Sequence, residues 1–477
     1  MKRRRAAVVV TAAQLSRQAG NAVLFIVLAR FMSPEDFGIV ALSAVIVNFF
    51  ILWSDLGSEP LVARTPRAQA HRMAESYVLV SLVWTTIVSA MLYLAAPSLA
   101  VSLDKAGISQ PLSFMALAIP FGGISAVFRG FCSASGKFVY LASAEVLGLL
   151  SGAIIAFALV SNGYKVEALV AQFLVSNAVP AVLYLTAFIT DRHATAESTV
   201  DLRWSESLSF AGFVAINYWS RNVDNLLVGK FLGTYQLGLY ERAYQLMYVP
   251  ASQVSGALGR VMVPMLSSTG DRRKFEQMYL LALSGIAVSA TPFLVALSSL
   301  ANPVADVIFG PGWDGLGPVL TGLAAAGSLQ ATSSSVGWLY QASGAGRSFL
   351  RNGLLFSALT IVGLAIGVST GSVVGVASSY FITTAALTVP IFWAAVRVAA
   401  LRFAIILKWL IPIWVASALQ WTVTSWMQQW FEPSDLITLA LYLVGSYIVF
   451  CVTLGVMNPV LIRRIIGVRR ELAAEPT

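Results

Sequence analysis

The run Asn217-Tyr218-Trp219-Ser220-Arg221-Asn222-Val223-Asp224-Asn225 continues as LLVGKFLGTYQLGLYERAYQLMYVP to Pro250 and ASQVSGALGRVMVP to Pro264. Two long apolar segments meet at a short Gly-Thr-Tyr-Gln turn beginning at Gly233. On a helix, Asn217, Arg221, Asp224 and Asn225 share one face, because side chains three, four and seven residues apart lie together. Phe213, Val214, Ile216, Trp219, Val223, Leu226 and Leu227 fill the other faces. In a bilayer each central charge costs roughly 2.5–3.5 kcal/mol on insertion scales, which a partner or a watery cavity must offset. The stretch therefore predicts a polar path inside a helical bundle.

The rest of the chain has the composition such a bundle needs. Of 477 residues, 57% are hydrophobic and 11% charged, whereas soluble domains carry about 25% charged residues. The mean hydropathy is +0.77. The apolar runs are continuous over about twenty residues, which fits membrane helices and excludes the alternation of a β-barrel. The fold class expected is an all-α polytopic membrane protein.

Fourteen spans can be placed: 10–31, 37–61, 77–97, 112–132, 142–160, 167–189, 208–232, 239–265, 277–300, 317–341, 352–369, 373–395, 404–426 and 436–458. The start MKRRRAAVVVTAA has the basic and apolar parts of a signal peptide. Gln14, Arg17, Gln18 and Asn21 then follow inside a helix that continues to Phe31, so it reads as an uncleaved first span. With the N-terminus inside, inner segments collect 22 Lys and Arg against 2 outside, Lys105 and Lys165. That asymmetry predicts both termini in the cytoplasm. It also accounts for the net charge of +9 as topology, with no nucleic-acid partner.

Seven basic residues remain in or at the ends of spans: Arg17, Arg30, Arg129, Arg221, Lys230, Arg242 and Arg260. Snorkelling to an interface covers Arg30, Lys230, Arg242 and Arg129. Arg221 lies near the middle of its span, with Arg17 and Arg260 intermediate. The acids in or near spans are Asp55, Glu59, Glu145, Asp224 and Glu241. Asp224 lies three residues from Arg221 and is read either as an ion-coupling group or as its charge partner. Asp55 and Glu59 lie one turn apart near the inner end of span two and carry the same two readings. Cys132 and Cys451 read as packing residues, and the two histidines, His71 and His193, fall in loops.

An internal repeat is visible at an offset of 200 without a gap. ARFMSPEDFG (29–38) aligns with GKFLGTYQLG (229–238), and Ser135-Gly136-Lys137 echoes Ala345-Gly346-Arg347. The expected organisation is two six-helix lobes, spans 1–6 (residues 1–190) and spans 7–12 (208–396). A cytoplasmic linker (191–207) joins them, and helices 13–14 with a basic tail follow (397–477). An even number of spans per lobe gives both the same orientation, related by an axis along the membrane normal. No GxxxxGK[ST] loop, GxSxG elbow, HExxH or cysteine cluster occurs, so neither metal nor cofactor is expected. The outer loops are short. Asp306 and Asp314 sit among the turn pairs Asn302-Pro303, Gly310-Pro311-Gly312 and Asp314-Gly315.

The segments ARFMSPEDFGIVAL, NVDNLLVGKFLGTYQLGLYERAYQLMYVP, GRVMVPMLS and FGPGWDGLGPVLTGLA resemble the polysaccharide-transport family. These are Wzx-type flippases of the multidrug/oligosaccharidyl-lipid/polysaccharide exporter superfamily. The resemblance runs from about residue 10 to 460. It implies a V-shaped pair of six-helix lobes, a cavity lined by spans 1, 2, 7 and 8, and alternating access. It further implies an undecaprenyl-diphosphate-linked oligosaccharide moved from the cytoplasmic to the periplasmic leaflet of the bacterial inner membrane for exopolysaccharide synthesis.

On that reading Arg221, with Arg17 and Arg260 next, contacts the diphosphate, since a guanidinium forks onto phosphate oxygens. Asn217, Asn222 and Asn225 contact sugar hydroxyls. Partners would be the lipid-linked glycan, membrane lipids, and the polymerase and export machinery of the same pathway. Two other readings stay open: a membrane enzyme of polysaccharide assembly (polymerase or ligase), and a cation-coupled small-molecule antiporter. Against the antiporter, no acid lies between Lys2 and Glu35, where drug antiporters of the superfamily carry one.

Overall fold

The structure, a computed structural model, describes residues 17, 20–21, 23–191 and 204–459. Among them every regular element is a helix. Helix α1 covers 23–29, followed by α2 Pro34–Leu52, α3 Glu59–Arg64, α4 Arg67–Ser102, α5 Ser109–Ala116 and α6 Ile119–Ala134. Next come α7 Phe138–Val160, α8 Val166–Ile189, α9 Trp204–Phe231, α10 Thr234–Ser268, α11 Arg272–Ser289, α12 Thr291–Ser299 and α13 Ala301–Val304. The last are α14 Leu316–Ser333, α15 Val336–Ala342, α16 Gly346–Ser369, α17 Val373–Val398, α18 Phe403–Gln428 and α19 Leu436–Met457.

Among the described residues, 10 helical stretches are long and apolar enough to cross a membrane, and the protein is an integral membrane protein. The stretches correspond to spans 2–6, 9 and 11–14 of the sequence reading. The four left over are instructive. Span 1 is only partly described, and span 10 is broken into α14 and α15. Spans 7 and 8 are unbroken helices of 28 and 35 residues. Their charged residues set them apart: Arg221, Asp224 and Lys230 in α9, Glu241, Arg242 and Arg260 in α10.

The chain divides into two compact units, residues 1–238 and 239–477. In unit 1, α3, α4, α6, α7 and α8 bury Val62, Tyr77, Phe128, Phe131, Cys132 and Tyr184 together. A second cluster joins α2, α4, α5, α6 and α8 through Val47, Leu92, Leu112, Met115, Ile119 and Val170. Helix α2 starts at a capping box. The Asp36 amide donates to Ser33 Oγ (3.3 Å), and the Ser33 amide donates to the Asp36 carboxylate (2.8 Å). Pro34 at the first turn gives up no helical hydrogen bond.

Unit 2 is tied by neutral hydrogen bonds. Pro292 divides span 9 into α11 and α12. Having no N–H, it leaves the carbonyl four residues earlier, Val288 O, without a helical donor. The Tyr447 hydroxyl of α19 donates to that carbonyl at 2.5 Å. Gln420 Nε2 of α18 donates to Pro292 O (2.7 Å) and to Ser446 Oγ (2.8 Å). The two C-terminal spans are thus fixed to span 9 where its helix breaks, and Ile413, Ala416, Phe450 and Leu454 pack beside Ala287 there.

Candidate functional site

The hairpin of α9 and α10 turns on Leu232 and Gly233 alone. Gly233 has φ +98°, a left-handed value that glycine adopts without strain. The sequence reading took the turn through Gln236. The structure shortens it, because one left-handed residue reverses the chain and Thr234 already begins α10.

Within unit 1 the two copies of the repeat meet. A Cβ placed on Gly38 would lie 1.7 Å from Thr234 O, and one on Gly238 would lie 1.8 Å from Pro34 O. Residues 34 and 234 are themselves equivalent under the 200-residue offset, so each first turn seats its glycine on the other's first carbonyl. The contact is reciprocal and backbone to backbone. Burial follows the repeat: Arg30 and Lys230 are exposed, as are Phe31 and Phe231, while Phe37, Leu237, Gly38 and Gly238 are buried. Only residues without a Cβ permit this approach.

Helix α9 is fastened to α2 within its polar stretch, at Tyr218 and Trp219. The Tyr218 hydroxyl donates to Val45 O at 2.6 Å. The Phe49 ring lies 5.9 Å from Tyr218 and 5.2 Å from Trp219, and Trp53 stacks on Phe49 at 6.0 Å. This aromatic wall of α2 and α9 was missed at the sequence level, where Trp219 counted only as apolar filling. Its legible signal was aromatics at positions 49 and 53, one turn apart in span two.

The expected site residues take distinct positions. Arg221 is exposed and Asp224 buried, with Asp224 Oδ1 accepting from the Asn225 amide (2.9 Å). Asn222 Nδ2 donates to Tyr218 O (2.9 Å), so its amide is partly used within the helix. Asn225 Oδ1 is buried without a hydrogen-bond partner. Asn217 lies in α9 with its side chain outside the described residues. Arg260 is exposed on α10 and belongs to unit 2, while the others belong to unit 1.

Arg17 forms an ion pair with Glu145 of α7. Asp55 turns inward, its carboxylate accepting from the amides of Gly57 (3.1 Å) and Glu59 (2.7 Å), and so shapes the entry to α3. Glu59 receives a two-point bond from Arg129, Nε at 2.7 Å and a terminal nitrogen at 2.5 Å.

Two basic residues assigned to snorkelling stand elsewhere. Arg129 is engaged by Glu59. Arg242 is 6% exposed and paired with Glu241, with Gln245 Oε1 accepting from Arg242 at 3.2 Å. Adjacent opposite charges at 241 and 242 in an apolar helix were the available signal.

A family model described as polysaccharide biosynthesis protein matches residues 27–318. The chain belongs to the polysaccharide biosynthesis protein family. The match starts in α1 and runs into α14, so it contains the glycine crossing and the α9–α10 hairpin. The chain is 26% identical over 379 residues to the succinoglycan biosynthesis transport protein ExoT of Rhizobium meliloti (strain 1021), covering 78% of this chain and 75% of that one. It is 25% identical over 333 residues to the lipopolysaccharide biosynthesis protein WzxC of Escherichia coli (strain K12), covering 66% and 65%. Its fold is that of lipid II flippase MurJ in an inward closed conformation (TM-score 0.74, 13% identity, 95% of this chain and 100% of that one). An inward-facing multidrug resistance transporter of the MATE family shares it too (TM-score 0.67, 17% identity, 83% and 98%).

Proposed function

We propose that the protein is a flippase that carries undecaprenyl-diphosphate-linked oligosaccharide repeat units from the cytoplasmic to the periplasmic leaflet by alternating access. The pathway served is exopolysaccharide or other surface-polysaccharide synthesis. The observation that carries this reading is the charged hairpin α9–α10, set in a fold shared with a lipid-linked-precursor flippase. Such a substrate has an apolar tail that stays in lipid and an anionic, hydroxyl-rich head that does not. A helix with exposed Arg221, half-buried Asn222 and Asn225, and buried Asp224 offers groups for that head along one polar stripe. Arg221 and Arg260, both exposed, are the leading diphosphate contacts. Arg17 would have to share its guanidinium with Glu145. Asn217, Asn222 and Asn225 serve sugar hydroxyls. Asp224 couples ion movement or balances Arg221, and Asp55 and Glu59 act through the α3 entry.

The organisation proposed is two lobes, spans 1–6 and 7–12, with spans 13–14 added, both termini cytoplasmic in the inner membrane. The similarity to the succinoglycan biosynthesis transport protein ExoT supports a transporter over an enzyme. Polymerase and export machinery are the expected pathway partners. The test is a strain lacking the gene. It should lose the polymer and accumulate lipid-linked repeat units on the inner leaflet. Normal arrival of repeat units in the periplasm would overturn the proposal. Short polymer with intact flipping would point to an enzyme, and drug sensitivity with normal polymer to an antiporter.

A further inference from the structure

Four helices of unit 2 begin or end at one face. Helices α16 and α17 run antiparallel, joined by Thr370, Gly371 and Ser372. They pack closely near the join: Ser379 Oγ donates to Gly363 O (2.5 Å), and a Cβ on Gly367 would lie 2.7 Å from Val376 Cα. The two helices have 24 and 26 residues and so cover nearly the same length. Arg347 at the start of α16 therefore stands about level with Arg397 at the end of α17. The chain then turns through residues 399–402, with Ala400 left-handed (φ +53°), and enters α18. The Arg272 guanidinium donates to Ala400 O, which brings the first turn of α11 to the same place.

This face is strongly basic. Arg272, Arg273 and Lys274 open α11, and Arg347 and Arg351 lie in the first two turns of α16. Arg397, Arg402 and Lys408 flank the turn into α18, and all eight are exposed. The acids beside them are Asp271 and Glu276. Basic residues of unit 1 are met differently: Arg67 and Lys137 share Asp191 (3.9 and 3.0 Å), and Arg129 holds Glu59. Among the described residues, none of the eight in unit 2 has an acid within ion-pair distance. An excess of Lys and Arg sets topology whether or not each is paired. Topology therefore does not account for the difference between the units.

What covers the patch follows from its border. Both α16 and α17 are long and apolar enough to cross a membrane. On α16, Leu350, Leu354 and Leu355 are exposed around Arg351, the last two on its face at three and four residues' spacing. On α17, Val389 and Trp393 are exposed, and the Arg397 guanidinium lies 4.2 Å from the Trp393 ring centroid. Lipid-facing apolar surface thus runs straight into the guanidinium groups. A ligand that matches both has acyl chains and an anionic head. A zwitterionic head brings its own cation and leaves the excess charge uncompensated, and a soluble acidic partner leaves the leucines bare. Six of the eight are arginines, whose fork gives paired hydrogen bonds to phosphate oxygens.

We propose that this face of unit 2 binds anionic phospholipid of the phosphatidylglycerol kind. The head-group phosphates meet Arg347, Arg351 and Arg402, and the acyl chains lie along the exposed leucines of α16 and beside Trp393. The Trp393 ring fixes the Arg397 guanidinium at the border between the two. Such lipid surrounds the protein and is not its cargo, so the site is distinct from the α9–α10 stripe and stands independently of the flippase reading.

The test is photolabelling of the full-length protein in phosphatidylcholine nanodiscs that hold a trace of diazirine-bearing phosphatidylglycerol or phosphatidylcholine. The phosphatidylglycerol probe should label α16, α17 and α18 peptides about fivefold or more over the phosphatidylcholine probe. Unlabelled phosphatidylglycerol should displace it. Raising salt from about 0.15 M to about 1 M shortens the screening length from about 8 to about 3 Å and should lower the preference. Arg347→Gln with Arg351→Gln and Arg402→Gln should reduce it to within about twofold. The corresponding lysine triple keeps the charge that sets topology and should keep most of the preference. Lys105→Gln with Lys165→Gln, in unit 1, should leave it unchanged. Labels spread evenly over all lipid-facing helices, or a preference that survives the glutamine triple, would overturn the proposal. Equal labelling by the two probes would overturn it too and turn the patch over to a soluble acidic partner. If the glutamine triple fails to insert, a preference indifferent to salt overturns the proposal by itself.

Discussion

Carried on without a gap, the 200-residue offset sets Arg221, Asp224, Glu241, Arg242 and Arg260 of the second hairpin against Asn21, Leu24, Ala41, Leu42 and Pro60 of the first. At two of these five pairs the burial is shared although the chemistry is not. Leu24 is 9% exposed and Asp224 6%; Leu42 is 0% and Arg242 6%. Two copies of one frame therefore carry an apolar interior in one case and a charged one in the other. What the copies keep is backbone geometry, the glycines at 38 and 238 and the first turns they cross. What they change is the set of groups a polar substrate could meet. A charge in the second hairpin is accordingly a better candidate for function than an equally buried residue in the first.

Four changes test this contrast, beginning with the shared frame. Gly38→Ala and Gly238→Ala each push a methyl group into a backbone carbonyl that cannot rotate away. Each should cost about 3 kcal/mol or more and collapse the monodisperse fraction in size-exclusion chromatography. A folded, stable Gly238→Ala protein would show that the crossing is not required.

Next, Arg129→Ala strips Glu59 of its two-point partner. Loss of one member of a fully buried pair costs about 3–5 kcal/mol. The side chains here are 40% and 32% exposed, so about 2 kcal/mol is expected after solvent screening. Adding Glu59→Ala should restore part of the thermal stability, and a double variant less stable than the single would contradict the pairing.

The most informative change converts the second hairpin toward the first. Glu241→Ala with Arg242→Leu replaces a buried charged pair by the residues standing at 41 and 42. Such replacements are often neutral or stabilising. Thermal stability should hold or rise while polymer yield falls at least tenfold. Full polymer yield would return this pair to a structural role. Smallest of all, Tyr218→Phe removes one hydrogen bond to Val45 O and should lower stability by about 1 kcal/mol.

The sequence made the membrane fold legible because composition and run length settle it before any contact is known. The repeat was legible for a similar reason: glycine at 38 and 238 records a close approach that no other residue allows. Arg17 with Glu145, and Arg129 with Glu59, were not legible as pairs. Their members lie 128 and 70 residues apart, and only the packing of separate spans brings them together.

Arg242 does not snorkel as the sequence suggests. It lies eight residues into α10, about 12 Å along the helix, and its charge is met there by Glu241 instead of water. Asp55 was read as an ion-coupling or pairing group. Its carboxylate is committed to two amides of the α3 entry, a use that depends on a bend invisible in the residue pattern.

The central claim, that Arg221 takes the diphosphate of a lipid-linked glycan during flipping, is tested most directly in proteoliposomes. The purified protein would be reconstituted with fluorescent undecaprenyl-diphosphate-linked oligosaccharide, and leaflet exchange read by accessibility of the glycan to an added lectin. Wild-type protein should accelerate exchange, Arg221→Ala should abolish the acceleration at equal insertion, and Arg221→Lys should retain part of it. Exchange by Arg221→Ala at the wild-type rate would contradict the account.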